Sequence, residues 1–181
     1  MGFRGSNRWI LLMGGALLLT LLPATVRAGG SAETFDEVLQ SIYQGRSGVI
    51  AGSELWEQMQ SGAVPDQVYL LDIRSEAEWQ VSRIAGAEYI GYRGFTLDRV
   101  AHIPGDATIV LYCAVGWRSG RVEREMRAAG FSDIRDLYGG IFRWVNDEFP
   151  VVDDTGETLN VHGYSPRWGR WISSPGIDVV Y

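Results

Sequence analysis

The chain has no lysine, two histidines and a single cysteine among its 181 residues. Each scarcity excludes something. One cysteine forms no disulfide within its own chain, so Cys113 is an inert core residue, an intermolecular link or a reactive thiol. One thiol with two distant histidines, His102 and His162, makes no metal-ligand cluster, so no metal is expected. Neither histidine has a motif around it, and both read as surface or packing residues. Long apolar runs are scarce too. Trp9 to Leu22, 14 residues, follows Arg4 and Arg8 and precedes the small-residue end Pro23 to Ala28. That order is a cleavable secretory signal, cut near Ala28. A bilayer span needs about 20 apolar residues, so a membrane anchor formed by an uncleaved signal is the minor alternative. No paired arginine precedes the run, which points to the general secretion route. The chain is expected to be exported to the periplasm, with no stable membrane span after cleavage.

What remains is acidic. Without residues 1–28 the chain keeps 13 arginines against 22 acids, a formal charge of −9. Phosphate backbones need a basic face, so nucleic acid is excluded as a partner. A hydrophobic content of 46% with 12% aromatics marks a folded domain, and the length suits one domain with extensions.

Phe35, Val38, Leu39 and Ile42 at helical spacing predict a helix over 34–44, stopped by Gly45. Val49-Ile50 reads as a short strand, and Ser53 as the cap of a helix from Glu54 to about Ser61. Val68 to Asp72 (VYLLD) lacks polar alternation, which predicts a strand covered on both faces. Ser75 with Glu78 makes a capping box for a helix ending near Val81. A strand at 88–91, a helical turn at 95–101 and a second buried strand at 108–112 follow. A helix over 118–129, a strand over 133–137, the turn Gly139-Gly140 and a helix over 141–148 complete the pattern. Strands alternating with helices give an α/β layered domain with a mostly parallel sheet. Residues 154–181, with Tyr164, Trp168, Trp171 and Tyr181, read as an extended aromatic strap, and residues 29–48 as a helical extension.

Ligands of parallel sheets bind beyond the carboxyl ends of the strands. Cys113 is placed there, followed by Ala114-Val115-Gly116-Trp117 and a helix start at Arg118. Amide N–H groups at such a turn favour negative charge, so a thiolate held by them is a nucleophile without any histidine base. Gly116 supplies the backbone freedom to curl the loop around one atom.

In these blocks the chain resembles the rhodanese-like sulfurtransferase family. Leu71-Asp72-Ile73-Arg74 with Glu76 and Glu78-Trp79, Ile84-Ala85-Gly86-Ala87, Cys113 with Gly116 and Arg118-Ser119, Gly130-Phe131, and Leu137 to Ile141 with Trp144 occur in the family's order. The resemblance implies a rhodanese-like three-layer α/β/α domain over 49–153 with a five-stranded parallel sheet of order 1-5-4-2-3. It implies that Cys113 accepts a sulfane sulfur from a donor such as thiosulfate and passes it, as a persulfide, to a thiol or cyanide. The amides of Ala114, Val115, Gly116, Trp117 and Arg118 would cradle that sulfur, Arg118 would orient the donor, and no cofactor beyond the covalent persulfide is implied. Asp72 and Arg74 would support the loop or simply pin strand to helix, and Gly139 and Gly140 would let the next turn approach it. A periplasmic protein partner fits the expected compartment. Two departures stand out: Ser82-Arg83 replaces the family's Gly-His, and Ala114 replaces a usual basic residue, which together with Trp117 points to a bulkier or less charged donor. A non-catalytic binding module of the same fold is the alternative. Phosphatases and arsenate reductases space cysteine and arginine by five residues, one more than Cys113 and Arg118 allow.

Overall fold

The computed structural model describes residues 33–66 and 68–181; the predicted signal and its cleavage point at Ala28 lie outside the described residues. The apolar runs of the sequence form the middle of a sheet. Strands β1 (Val49–Ile50), β2 (Val68–Asp72), β3 (Glu88–Tyr89), β4 (Thr108–Tyr112) and β5 (Asp133–Leu137) lie in the order β1-β5-β4-β2-β3, every pairing parallel. This is the order implied by the family resemblance.

The two faces follow from the two-residue period of a strand. Leu70, Val110 and Tyr112 point to one core, shared with Leu39 of α1 (Phe35–Tyr43), Leu55 of α2 (Gly52–Gln60) and Trp144. Leu71, Ile73, Ile109 and Leu111 point to the other, against Val122 and Met126 of α5 (Ser119–Ala128). The turn α3 (Ala63–Asp66), α4 (Glu76–Val81) and α6 (Gly140–Asn146) complete the layers. Both central strands are thus covered on both sides, as their unbroken apolar runs predict.

Local signals set most boundaries. Thr34 caps α1 and Ser75 caps α4, each in a capping box with the glutamate three residues on. Ser53 does not cap α2: the helix starts two residues earlier, at Gly52, with Ala51 as an extended N-cap that makes no side-chain bond. Gly52 permits this, because a Cβ there would press Phe149 at 3.2 Å. The segment predicted helical over 95–101 is a 3₁₀ turn at Leu97–Val100. Helix α6 stops short of residue 148 because Glu148 takes a left-handed φ of 63° and Phe149 N–H returns to the Trp144 carbonyl.

The tail is not extended coil. It carries a hairpin of β6 (Val151–Val152) and β7 (Glu157–Thr158), then β8 (Asn160–His162), α7 (Pro166–Gly169) and β9 (Asp178–Val180), with β8 and β9 parallel neighbours. Val161 is fully buried in the main core. The Asn146 amide donates to the Trp171 carbonyl at 2.7 Å and accepts from Ser173 N–H, while Trp171 stacks on Phe35 of α1. Residues Glu33–Tyr181 form one compact unit. Among the described residues, no helix is long and apolar enough to cross a membrane.

Candidate active site around Cys113

Cys113 follows β4 on the α5 face and is almost wholly buried. The Gly116 N–H donates to its Sγ at 3.0 Å, closing the loop on the sulfur. The loop carbonyls are held from outside. The first turn of α6 supplies two donors, Ile141 N–H to the Cys113 carbonyl at 2.9 Å and Phe142 N–H to that of Ala114 at 3.0 Å. The Gly116 carbonyl accepts from Arg46 at 2.8 Å and from the Ser119 hydroxyl at 2.9 Å.

In a planar trans peptide the carbonyl and the following N–H point in opposite directions. Tethering the carbonyls of Cys113, Ala114 and Gly116 therefore turns the N–H groups of Ala114, Val115 and Trp117 away from those tethers. Among the described residues none of these three N–H groups donates to a protein acceptor. Ala114 and Val115 are buried, where an idle donor costs free energy unless a ligand uses it.

Two glycines make the packing possible. Gly140, at φ 56°, leaves no room for a side chain: a Cβ would stand 2.3 Å from the Cys113 carbonyl oxygen. Gly139, at φ 71°, is the left-handed N-cap of the same helix. Gly116, at φ 94°, lies against Tyr43, whose hydroxyl a Cβ would meet at 1.9 Å. That hydroxyl donates to the Leu137 carbonyl at 2.7 Å and accepts from Gly139 N–H, so α1 props the loop.

Beneath the loop Asp136 accepts from Arg46 and Ser119 at 2.8 and 2.6 Å. Burial pushes its carboxyl up to about 7, against the opposing pull of Ser119 and Arg46. Arg118, the loop's cation, is paired: it grips Glu78 of α4 with two bonds of 2.7 Å. Burial alone would raise the Glu78 carboxyl, but Arg118 and Ser75 outweigh it and bring it down to about 2. Burial likewise works against the Arg118 cation, while Glu78 and then Cys113 hold it charged. The face of Tyr164 lies 5.1 Å from the same guanidinium.

Asp72 and Arg74 form a fully buried bidentate pair, and Arg74 also donates to the Ser82 carbonyl and lies over the Tyr112 ring. The pair fastens β2 to the end of α4 and does not line the Cys113 pocket. In place of the family's Gly-His, Ser82 is buried and Arg83 bridges Val152, pairs with Asp154 and lies 4.7 Å from the Trp79 ring. His102 pairs with Glu88 on the surface, and His162 accepts from Tyr164 N–H.

The pocket over Cys113 measures about 250 Å³ and is lined by Ala114, Val115, Trp117, Arg118 and two tail residues, Tyr164 and Trp168. Sequence reasoning missed Tyr43, Arg46 and Asp136 as loop supports and the Glu78–Arg118 pairing. The aromatic alternation of the tail was the one available signal for Tyr164 and Trp168. No cluster of metal-ligating residues occurs among the described residues.

The family profile described as Rhodanese-like domain matches residues 52–147. The probable adenylyltransferase/sulfurtransferase MoeZ of Mycobacterium tuberculosis is 32% identical over 154 residues, covering 77% of this chain and 38% of that protein. This chain therefore corresponds to well under half of that relative's length. A protein named Sulfurtransferase from Allochromatium vinosum is 31% identical over 91 residues, covering 50% of this chain and 84% of that one. The solved thiosulfate sulfurtransferase from Pseudomonas aeruginosa superposes with a TM-score of 0.54 at 20% identity, over 66% of this chain and 22% of that one. The BH2092 protein of Bacillus halodurans gives a TM-score of 0.55 at 18% identity, over 67% and 88%. At those identities the two structures speak for the fold alone.

Proposed function

Since the chain belongs to the rhodanese-like domain family, we propose that it is a sulfurtransferase whose Cys113 carries sulfane sulfur as a persulfide. In the first half-reaction the Cys113 thiolate attacks the sulfane sulfur of the donor. A new S–S bond forms as the donor's bond to that sulfur breaks, and the electron pair leaves with the sulfite, sulfinate or thiolate fragment. In the second half a thiolate or cyanide attacks the terminal sulfur, and Cys113 departs as thiolate. The balance needs no metal, redox cofactor or external oxidant.

The observation that carries this reading is the outward tethering of three loop carbonyls, with the amides of Ala114, Val115 and Trp117 left without a protein acceptor among the described residues. Donors fixed in advance around a small anion stabilise charge without reorganising, and Gly116 N–H already engages Sγ. Arg118 sits at the mouth with its charge matched by Glu78, so it shapes and orients more than it attracts. Asp72 and Arg74 act at one remove, fixing the strand beside the loop. Relatives named sulfurtransferases support the reaction class. An exported protein would meet small sulfur donors and thiols in the periplasm.

The test is mass spectrometry of the protein after exposure to a sulfur donor. The expected result is an adduct of about 32 Da, one sulfur atom, on Cys113, discharged by added thiol and absent from Cys113→Ser. A chain that stays unmodified with every donor, or a serine variant that still transfers sulfur, overturns the proposal.

A further inference from the structure

The walls of the Cys113 pocket bear on which donor fits. The pocket is lined by three aromatic side chains, Trp117, Tyr164 and Trp168, together with the apolar Ala114 and Val115. Trp117 and Tyr164 are respectively 68% and 52% exposed, so their rings are open to a ligand entering the pocket. Among the described residues Arg118 is the only charged one in the lining, and its guanidinium is tied to Glu78 on one side and faces Tyr164 on another. Among these described residues a doubly charged donor meets no cation without its own carboxylate. A flat apolar group meets three rings.

Tyr164 is held in place at some cost. Its φ of 61° is left-handed, a region that a tyrosine side chain disfavours, and its N–H is pinned to His162 Nδ1 at 2.9 Å. Strain of this kind persists where the surroundings fix it, here through β8 and the close approach of Gly163 to Gly169 at the start and end of the turn. Tyr164 and Trp168 lie outside the matched residues 52–147, so this part of the pocket is the tail's own contribution. For scale, an apolar cavity of about 150 Å³ holds a benzene molecule; the space over Cys113, about 250 Å³, takes a ring together with the reacting sulfurs.

We infer that the sulfur donor carries an apolar, aromatic organic group, seated between Trp117, Tyr164 and Trp168. The inference rests on the persulfide reading of Cys113. The donor is an aryl thiosulfonate or aryl persulfide, not the thiosulfate dianion. In the thiosulfonate case the Cys113 thiolate attacks the terminal sulfur, the new S–S bond forms, and the aryl sulfinate leaves with the electron pair of the broken S–S bond.

Three donors that share this chemistry separate charge from shape: thiosulfate, methanethiosulfonate and benzenethiosulfonate. Loading of Cys113 is followed with the full chain, and each kcat/KM is divided by the donor's rate with a free small thiol to remove intrinsic reactivity. Benzenethiosulfonate is expected to exceed methanethiosulfonate by about tenfold or more from burial of its ring, and thiosulfate to rank last. In Trp168→Leu and Tyr164→Gly the ratio of the two thiosulfonates falls several-fold, with a thermal melt confirming that each variant is folded. Equal normalised rates for the three donors, a preference for thiosulfate, or a ratio unchanged in both folded variants overturns the inference alone. No loading by any donor overturns the persulfide reading together with it.

Discussion

Replacing Gly140 by alanine tests whether α6 holds the sulfur loop. The new methyl group would lie 2.3 Å from the Cys113 carbonyl oxygen and 2.7 Å from the Ala114 carbonyl, both backbone atoms that cannot swing aside. The position also has a φ of 56°, which costs an L-residue about 1–2 kcal/mol. Relief requires α6 to back away, which stretches the bonds from Ile141 and Phe142 to those two carbonyls. Each is worth about 1 kcal/mol net. The sum is about 3–4 kcal/mol, and for a domain of this size about 10 °C in melting temperature. Function should suffer more than stability accounts for. Freed carbonyls no longer dictate where the Ala114 and Val115 N–H groups point, and losing one such donor costs about a hundredfold in rate. Calorimetry and the rate of Cys113 loading measure the two effects. Gly105→Ala is the control, since its Cβ would come no closer than 3.8 Å to any neighbour and it should melt within about 0.5 kcal/mol of the parent. A Gly140→Ala protein that melts and loads like the parent would refute the idea that this helix sets the loop.

Three further perturbations follow from the charges and the tail. The Asp136 carboxyl, raised by burial to about 7 against an ordinary 3.8, binds its proton more tightly when folded. Its contribution is therefore full below about pH 4 and is lost as pH rises through about 7, so Asp136→Asn should flatten the fall in urea midpoint between pH 4 and 8; an equally steep fall rejects the assignment. Glu78 has the opposite sign: held at about 2 against 4.5, it stabilises above pH 4.5 and loses that effect as pH drops toward 2. Glu78→Gln should cost about 3 kcal/mol at pH 7 and almost nothing near pH 2, which the same titration of stability reads directly. Deleting 160–181 removes buried Val161, the ties to Asn146 and two of the pocket's three rings. Melting temperature and loading rate should fall together, and loss of either one alone would contradict the structure.

The sheet was legible because its central strands announce themselves locally. VYLLD and TIVLY are continuous apolar runs, and only a strand covered on both faces tolerates that pattern. The capping box at Ser75 is equally local, complete within four residues. The tail was not legible for the converse reason. Its strands are two or three residues long, too short to show any period. What orders them is distant: Asn146 from α6, Phe35 from α1 and the core that receives Val161. Ser53 misled because its type suits a cap, whereas the extended residue before the helix is Ala51.

The site divides along the same line. Cys113, Gly116 and the helix start after them are neighbours in sequence, so the cysteine and the loop that follows it could be read directly. The groups that set the loop's electrostatics are not neighbours. Arg46 reaches Asp136 across 90 positions and Gly116 across 70, and Glu78 reaches Arg118 across 40. The last pairing bears on the chemistry expected of the pocket. Read from the sequence, Arg118 is the loop's one cation and would orient the donor, while Ala114 and Trp117 already point to a bulkier or less charged one. Bound to a buried carboxylate, Arg118 presents almost no net charge, and the rings of Trp117, Tyr164 and Trp168 become the dominant surface a donor meets. If the donor is aryl, as we infer, selectivity at this thiol is set less by the charge written beside it than by a carboxylate and a tail that the fold brings to it.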